Sequence, residues 1–582
     1  MNGAEALVHV LRTSGIEHIF GLPGDTGMAF YDALYHEPAI THVMTRDERS
    51  ASFMADVYAR VSGRIGVAEG PSGGGATYIV PGVAEAHGSA IPLLCLTSDT
   101  PVADDGRGVL TELDQVSLFR PITNSSARVH RASGMADAVR RALRLATAGR
   151  PGAVHLSLPS DVLEEDIGDE SGLLLGEPAL ARAPATRPRA DASAVERAAA
   201  LLSQAERPVI VAGGGVLTSG AWDELTALAN AVGVPVATSI NGKGSIAENH
   251  PCAIGVVGGN GARSYANAWV SEADFVLFVG TRTDSTTTSG WTVPPRRTPP
   301  TSVHIDLAVK EIGNTYPCEA MLLGDAKATL RDLLVAIDAP HRIAARNRGR
   351  LERLASERCE YDARLSSERE STSIPIKPQR LIATLRRLLD DDVVIVADPG
   401  TPTPYLAAQF ELRRPGRTTV IPRAHGGLGY AIPGVVGAYF AAPGRRVIGV
   451  TGDGSFGMSV GELETISRLG LPVVLVQCSN NTYGWIKELQ HVYHDDRYYS
   501  VDFNRVDYAA IARGFGLQAF HVTDPDDLEP TLARALADGR PAFVDVETES
   551  QITETPPVAA WELAESVRAT RLAGVTGGGE WE

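Results

Sequence analysis

Short apolar runs of strand length recur along the chain, each closing on Gly, Asp or Ser ahead of a helical stretch: GAVHLSLPSDV, RPVIVAGGGV, ADFVLFVGTR, DVVIVADPG, RRVIGVTGDG and LPVVLVQCSNN. Such units are the mark of parallel α/β sheets, whose loops gather at the carboxyl ends of the strands. With 582 residues the chain is also too long for a single hydrophobic core. The expectation is an α/β protein built from three doubly wound parallel-sheet domains.

Two composition shifts place the boundaries. ALARAPATRPRADAS (about 179–193) is rich in Ala, Pro and Arg, and the charged stretch 342–380 reads as a helical connector. Domains are expected over 1–178, 190–341 and 374–555, followed by a tail over 556–582 that ends in a mobile GVTGGGEWE. The N-terminus reads as an amphipathic helix running into a strand, without the basic flank, apolar core and cleavage site of a signal peptide. No apolar run approaches the roughly 20 residues of a membrane-spanning helix, so a soluble, cytoplasmic protein is expected. The 5 cysteines are scattered and lack CxxC spacing, which argues against a disulfide framework or a zinc site. Lys and Arg number 53 against 70 Asp and Glu, a formal charge of -17. That balance disfavours nucleic acid or anionic membrane as a partner.

The segment 445–485, RRVIGVTGDGSFGMSVGELETISRLGLPVVLVQCSNNTYGW, is the most informative. It parses as strand, Gly-Asp-Gly-Ser turn, helix, strand and Ser-Asn-Asn-Thr. A lone GDG means little in a chain with 59 glycines. The spacing means more: Asp453 closes one strand and Asn480, 27 residues later, closes the next, so with one helix between them both side chains reach the same sheet edge. Magnesium takes six hard oxygens, commonly a carboxylate, an amide or backbone carbonyl, waters and phosphates. Asp453, the Asn480 amide oxygen and the Thr482 carbonyl fit that set. Gly454 and Ser455 begin a helix whose positive end favours phosphate charge, and Tyr483 follows Thr482 in the same loop. The alternative is a β-turn and an Asx turn without any ligand.

GDG followed about 27 residues later by NN resembles the cofactor motif of the thiamine-diphosphate (ThDP) enzymes. The similarity extends over nearly the whole chain to the branch containing acetolactate synthase, benzoylformate decarboxylase and pyruvate decarboxylase. This resemblance implies ThDP and Mg2+ as cofactors, with a pyrimidine-binding, a central nucleotide-fold and a diphosphate-binding domain in that order. It puts Glu48, in VMTRDERSASFMADVYARVSG, on the glutamate that hydrogen-bonds the aminopyrimidine ring and so activates the thiazolium. Asp47 replaces the usual histidine. In PRAHGGLGYAIPG, Leu428 falls on the apolar wedge beneath the cofactor and Gly426 on the carbonyl near its amino group. Gly400 and Thr401 of ADPGTPTP fall on a phosphate-contacting pair, and GPSGGGATY (70–78) is similar to the glycine loop beside the glutamate. A homodimer or homotetramer is implied, each active site combining Glu48 of one copy with Asp453 of another.

Absences narrow the reaction. The decarboxylases' His-His pair is missing, Ile486 replaces the glutamate after their metal loop, and Pro71 replaces the benzoylformate decarboxylase histidine. Asp25 of FGLPGD matches a decarboxylase proton donor and reads equally as a loop cap. VLTELDQVSLFRPIT (109–123) is similar to the acetolactate synthases' Phe-Gln-Glu loop, with Thr111 in place of glutamine. Leu489 stands where many have the acceptor-selecting tryptophan. His425 is this chain's own candidate acid–base group, a structural histidine being the other reading. AGGGV (212–216), GTRTDS (280–285), VHIDLAV (303–309) and LLGDAK (322–327) resemble segments that hold FAD in acetolactate synthases and ADP in oxalyl-CoA decarboxylases. Arg282, Asp306 and Asp325 are the nucleotide candidates. The expectation is a carboligase that decarboxylates a 2-keto acid and passes the acyl-anion equivalent to an acceptor carbonyl. The alternatives are a decarboxylase releasing an aldehyde and a non-catalytic ThDP-fold subunit.

Overall fold

The computed structural model describes residues 1–167 and 174–572. They form three six-stranded sheets in which every strand pair is parallel. In space the first sheet runs Thr41–Met44, His18–Gly21, Gly66–Gly70, Leu93–Asp99, Ala153–Pro159, Ser125–Arg128. The third runs Thr419–Val420, Val394–Ala397, Val447–Gly452, Val474–Ser479, Ala542–Glu547, Gln518–Val522. Counted along the chain within each sheet, both orders are 2-1-3-4-6-5. The middle sheet runs Ala320–Leu323, Thr301–Asp306, Phe275–Val279, Pro208–Ala212, Val236–Thr238, Ala253–Val256. Counted from the opposite edge this is 3-2-1-4-5-6, the order of dinucleotide-binding folds. The expected α/β class, with three doubly wound parallel sheets, is what the chain forms.

Central strands such as Leu93–Asp99 and Phe275–Val279 are buried at every position, as sheets with helices on both faces require. Helix starts follow local chemistry. Asn2 and Glu5 form a reciprocal capping box on Gly3–Thr13, while Asp191 and Asp325 cap Ala192–Gln204 and Ala326–Ala336. The charged connector is the long helix Pro340–Arg364 and its short successor Ser366–Arg369.

The first and third sheets share one hydrophobic core, with Phe20, Phe53 and Val83 from the first meeting Val394, Tyr430 and Phe543 from the third. Its centre is the contact between helices Glu48–Ser62 and Ala431–Ala441, each of which follows the second strand of its own sheet. They lie so close that a Cβ on Gly437 would sit 2.1 Å from the Met54 carbonyl oxygen. The middle sheet keeps separate clusters, around Leu225 and Ile305 on one face and Trp269 and Tyr361 on the other. The stretch expected as a tail carries a helix, Ala559–Leu572, whose Trp561 packs on Trp485 with ring centroids 4.3 Å apart. GVTGGGEWE lies outside the described residues. No helix among the described residues is long and apolar enough to cross a membrane.

Candidate cofactor site

The loops after Val394–Ala397, Val447–Gly452 and Val474–Ser479, three adjacent strands of the third sheet, surround one cavity at their carboxyl ends. Gly400, Thr401, Gly426, Leu428, Asp453, Gly454, Ser455, Thr482 and Tyr483 all line it. Asp453 is 5% exposed. Its Oδ1 accepts the Gly454 N–H at 2.9 Å, and its Oδ2 accepts the N–H groups of Asn480 at 2.8 Å and Asn481 at 2.6 Å. The connection between the two strands is a pair of short helices, Asp453–Ser459 and Glu462–Arg468, rather than the single helix expected. Burial pushes the Asp453 carboxyl up to about 6 against the pull of those three N–H donors.

No Lys or Arg among the described residues pairs with this buried carboxylate, so a cation would offset its charge. No group of three His, Cys, Asp or Glu among the described residues could hold a metal. A cation at Asp453 therefore has to draw on neutral oxygens and phosphate, which suits magnesium and the amide and carbonyl oxygens of Asn480 and Thr482. The Asn480 side chain lies beside Gly484, where a Cβ would meet its Nδ2 at 3.4 Å. Asn481 takes the left-handed conformation at φ 56°, which Asn tolerates better than most residues. The loop is pinned by Val501, whose carbonyl accepts from the Thr482 hydroxyl at 3.0 Å and the Tyr483 N–H at 2.9 Å. Tyr483 explains the second glycine of GDG, because a Cβ on Gly454 would stand 2.7 Å from its Cε1.

Two carboxylates that sequence reasoning passed over hold this edge together. Asp398 accepts from the N–H groups of Tyr430 at 2.7 Å and Ala431 at 3.2 Å and from the Thr451 hydroxyl at 2.7 Å, tying three loops. Glu85, on the first sheet's helix Val80–Gly88, accepts from the N–H groups of Ala424 at 3.2 Å, His425 at 2.7 Å and Gly426 at 3.2 Å. It also pairs with Arg60 at 3.0 Å. The only signal in the sequence was a charged residue within an otherwise apolar helix, which must find partners if buried.

Glu48 opens the helix Glu48–Ser62, capped by Asp47, and is 6% exposed. Its carboxylate rests on the glycine loop, where a Cβ on Gly75 would stand 2.9 Å from Oε1, and burial raises its pKa. It does not line the cavity. Its neighbours dock on the helix pair that follows Asp453: the Arg46 N–H donates to Glu462 at 2.9 Å, and the Arg49 guanidinium donates to the Met458 carbonyl. Asp25 is exposed and accepts the Thr26 N–H at 2.9 Å. His425 is exposed too, and neither lines the cavity.

A second cavity lies between the middle sheet and its neighbours, and Arg282, Asp306 and Asp325 all border it with Gly214 and Gly215 of AGGGV. Asp306 ends its strand at the cavity's edge, and burial pushes it up to about 6. Asp325 accepts from Ser219 at 2.7 Å and Arg187 at 2.8 Å, while Arg282 pairs with Asp284 at 3.2 Å.

A parallel sheet with a buried acid and a helix start at its carboxyl edge, placed beside a dinucleotide-order domain, is the frame of a cofactor-dependent enzyme. Three domain families match the chain: thiamine pyrophosphate enzyme N-terminal TPP binding domain over 1–118, central domain over 195–333 and C-terminal TPP binding domain over 398–546. The chain belongs to the thiamine pyrophosphate enzymes, in their acetolactate synthase-like branch. It is 34% identical over 576 residues to a probable acetolactate synthase large subunit of Methanococcus aeolicus, covering 96% of this chain and 94% of that one. The acetolactate synthase large subunit of Parasynechococcus marenigrum is 33% identical, with 94% and 87% covered. The isozyme 3 large subunit of Escherichia coli is 30% identical, with 94% of each covered.

Proposed function

We propose that this chain is a ThDP- and magnesium-dependent carboligase that decarboxylates a 2-keto acid and joins the remaining acyl unit to an acceptor carbonyl. The observation that carries this reading is the buried Asp453 at a strand end, without a Lys or Arg partner among the described residues and in one cavity with the loops of Gly400, Gly426 and Thr482. The naming of relatives over 90% of the chain as acetolactate synthases supports the keto acid chemistry. Asp453, the Asn480 amide oxygen and the Thr482 carbonyl would hold Mg2+. Gly400, Thr401, Gly454 and Ser455 would meet the diphosphate, Tyr483 would close the loop over it, and Leu428 and the Gly426 carbonyl would face the rings. Bound there, ThDP supplies the electron sink that makes loss of carbon dioxide feasible.

In this reading Glu48 comes from a second copy, in a homodimer or homotetramer. The cavity is lined entirely by residues between 399 and 486, and Glu48 of the same chain is not among them. A buried carboxyl with a raised pKa suits a group that shares a proton with a ring nitrogen. Asp25 and His425 are the acid–base groups left for the substrate. FAD or ADP would occupy the second cavity, with Asp306 toward a ribose and Arg282 and Asp325 at its wall, and the protein would work in the cytoplasm. Product analysis with ThDP, Mg2+, pyruvate and a panel of 2-keto acids tests the reading. A ligated hydroxyketo product is expected; a free aldehyde would make the chain a decarboxylase, and no turnover a non-catalytic subunit.

A further inference from the structure

The two cavities share a wall at Arg423. It is the only basic side chain among the described residues that line the cofactor cavity. Other arginines bordering these spaces have partners, Arg282 with Asp284 at 3.2 Å and Arg150 with Glu311 at 3.9 Å. Arg423 makes no hydrogen bond or ion pair with the described residues; its contact is the ring of Trp485, with the centroid 6.0 Å away. Trp485 is in turn backed by Trp561. Burial works against the guanidinium charge, and Glu85 and Asp284 support it only from a distance. The backbone just beyond it is fixed by three N–H bonds to Glu85, which sets where the side chain starts. A partly buried charge held beside a cavity calls for an anion from the ligand.

The geometry points to Arg423 as the residue that receives the carboxylate of the acceptor 2-keto acid and so determines acceptor specificity. This rests on the carboligase reading. The donor's carboxylate is the poorer occupant, because it must leave as carbon dioxide, and an ion pair to it would stabilise the ground state and not the transition state. The acceptor keeps its carboxylate throughout. A carbon–carbon bond forms from the decarboxylated acyl unit to the acceptor's carbonyl carbon, that carbonyl oxygen takes a proton, and the carboxylate is unchanged. A planar guanidinium matches a carboxylate through two parallel hydrogen bonds. Ile486, in the same lining, offers an apolar side for the acceptor's alkyl group.

The test compares two acceptors on one enzyme, pyruvate serving as donor throughout: a second pyruvate, and the neutral acetaldehyde. Arg423→Gln should lower ligation to the acid acceptor roughly tenfold to a hundredfold, the scale of hydrogen bonds to a charged group. Ligation to acetaldehyde should stay within a few-fold, as should ThDP affinity measured by calorimetry with Mg2+. Arg423→Lys should recover part of the acid-acceptor rate. If the acid-to-aldehyde product ratio stays within about twofold, the assignment is wrong while the carboligase reading stands. Loss of ThDP affinity would instead give Arg423 to the diphosphate, and isolated loss of FAD or ADP binding would give it to the second cavity; either result overturns the proposal. A wild-type protein that consumes no 2-keto acid at all would remove the carboligase reading itself.

Discussion

The first and third sheets share one strand order, yet they hold different chemistry at equivalent places. After the first strand of each, Leu22-Pro23-Gly24-Asp25 stands in one where Asp398-Pro399-Gly400-Thr401 stands in the other. After the third strand, Pro71 corresponds to Asp453. The helices that follow the second strands pack on each other, and the bracing is reciprocal. Glu85 of the first half accepts the His425 N–H ahead of the third half's helix, while Glu462 of the third accepts the Arg46 N–H ahead of the first half's. The two braces are not electrostatic equals. Burial alone would raise Glu85, but Arg60 and the backbone donors hold it below the ordinary carboxylate range. Glu462 is raised by burial, with only Thr465, Arg46 and Ser50 to oppose it. One scaffold, used twice, thus gains its separate roles from a few loop residues and not from topology.

The sharpest way to break this comparison is to remove the one carboxylate that sets the third half apart. Asp453→Ala should abolish magnesium-dependent ThDP binding in calorimetry while leaving circular dichroism near normal, since the side chain faces a cavity and not the core; unchanged affinity would refute the metal assignment. In the first half, Glu48→Gln should keep cofactor affinity within a few-fold and lose on the order of a hundredfold or more in rate. Near-normal turnover would end its assignment. If the halves cooperate across copies, dissociating and reassociating these two inactive variants together should restore roughly a quarter of wild-type activity, because about half the dimers are mixed and each has one intact site. Background activity in mixed dimers confirmed by native mass spectrometry would place both groups in one chain.

The braces should differ most gently. A carboxyl with a depressed pKa stabilises the fold above its ordinary value and loses that contribution as the pH falls through the depressed one. Glu85→Gln should therefore cost about 2 kcal/mol at pH 7 in urea denaturation, with the deficit shrinking in acid below about pH 4. Glu462 has the opposite sign: its carboxylate is disfavoured at neutral pH and becomes easier to keep as it protonates. Glu462→Gln should change stability at pH 7 by less than about 1 kcal/mol. Equal losses in the two variants at pH 7 would mean that the braces are interchangeable.

The sheets were legible in the sequence because each strand–turn–helix unit is local, and so was the loop pair at Asp453 and Asn480, whose spacing crosses a single connection. That connection reads as one helix in the sequence, since only Val460 and Gly461 separate the two helices and a single glycine does not mark a break by itself. Glu85 is illegible for a different reason: its backbone donors lie 339 to 341 residues away, and no local pattern encodes such a meeting. Arg423 and His425 stand two residues apart in PRAHGGLGYAIPG, and only the fold puts the former at a shared wall and the latter outside. The twofold use of one topology left no repeat to find, as strand order resides in pairing and not in residue identity.

The shared core has a consequence for how the protein is made. Ala153 and Val394 belong to one hydrophobic cluster, yet the ribosome must finish the entire middle sheet between them. At roughly 5–20 residues per second, the apolar flank of the Glu48–Ser62 helix waits on the order of 20 to 75 seconds for its permanent cover, the helix Ala431–Ala441. The nascent first half is thus an aggregation-prone client, and slow codons or a chaperone-poor host should reduce the yield of this enzyme more than its final stability would suggest.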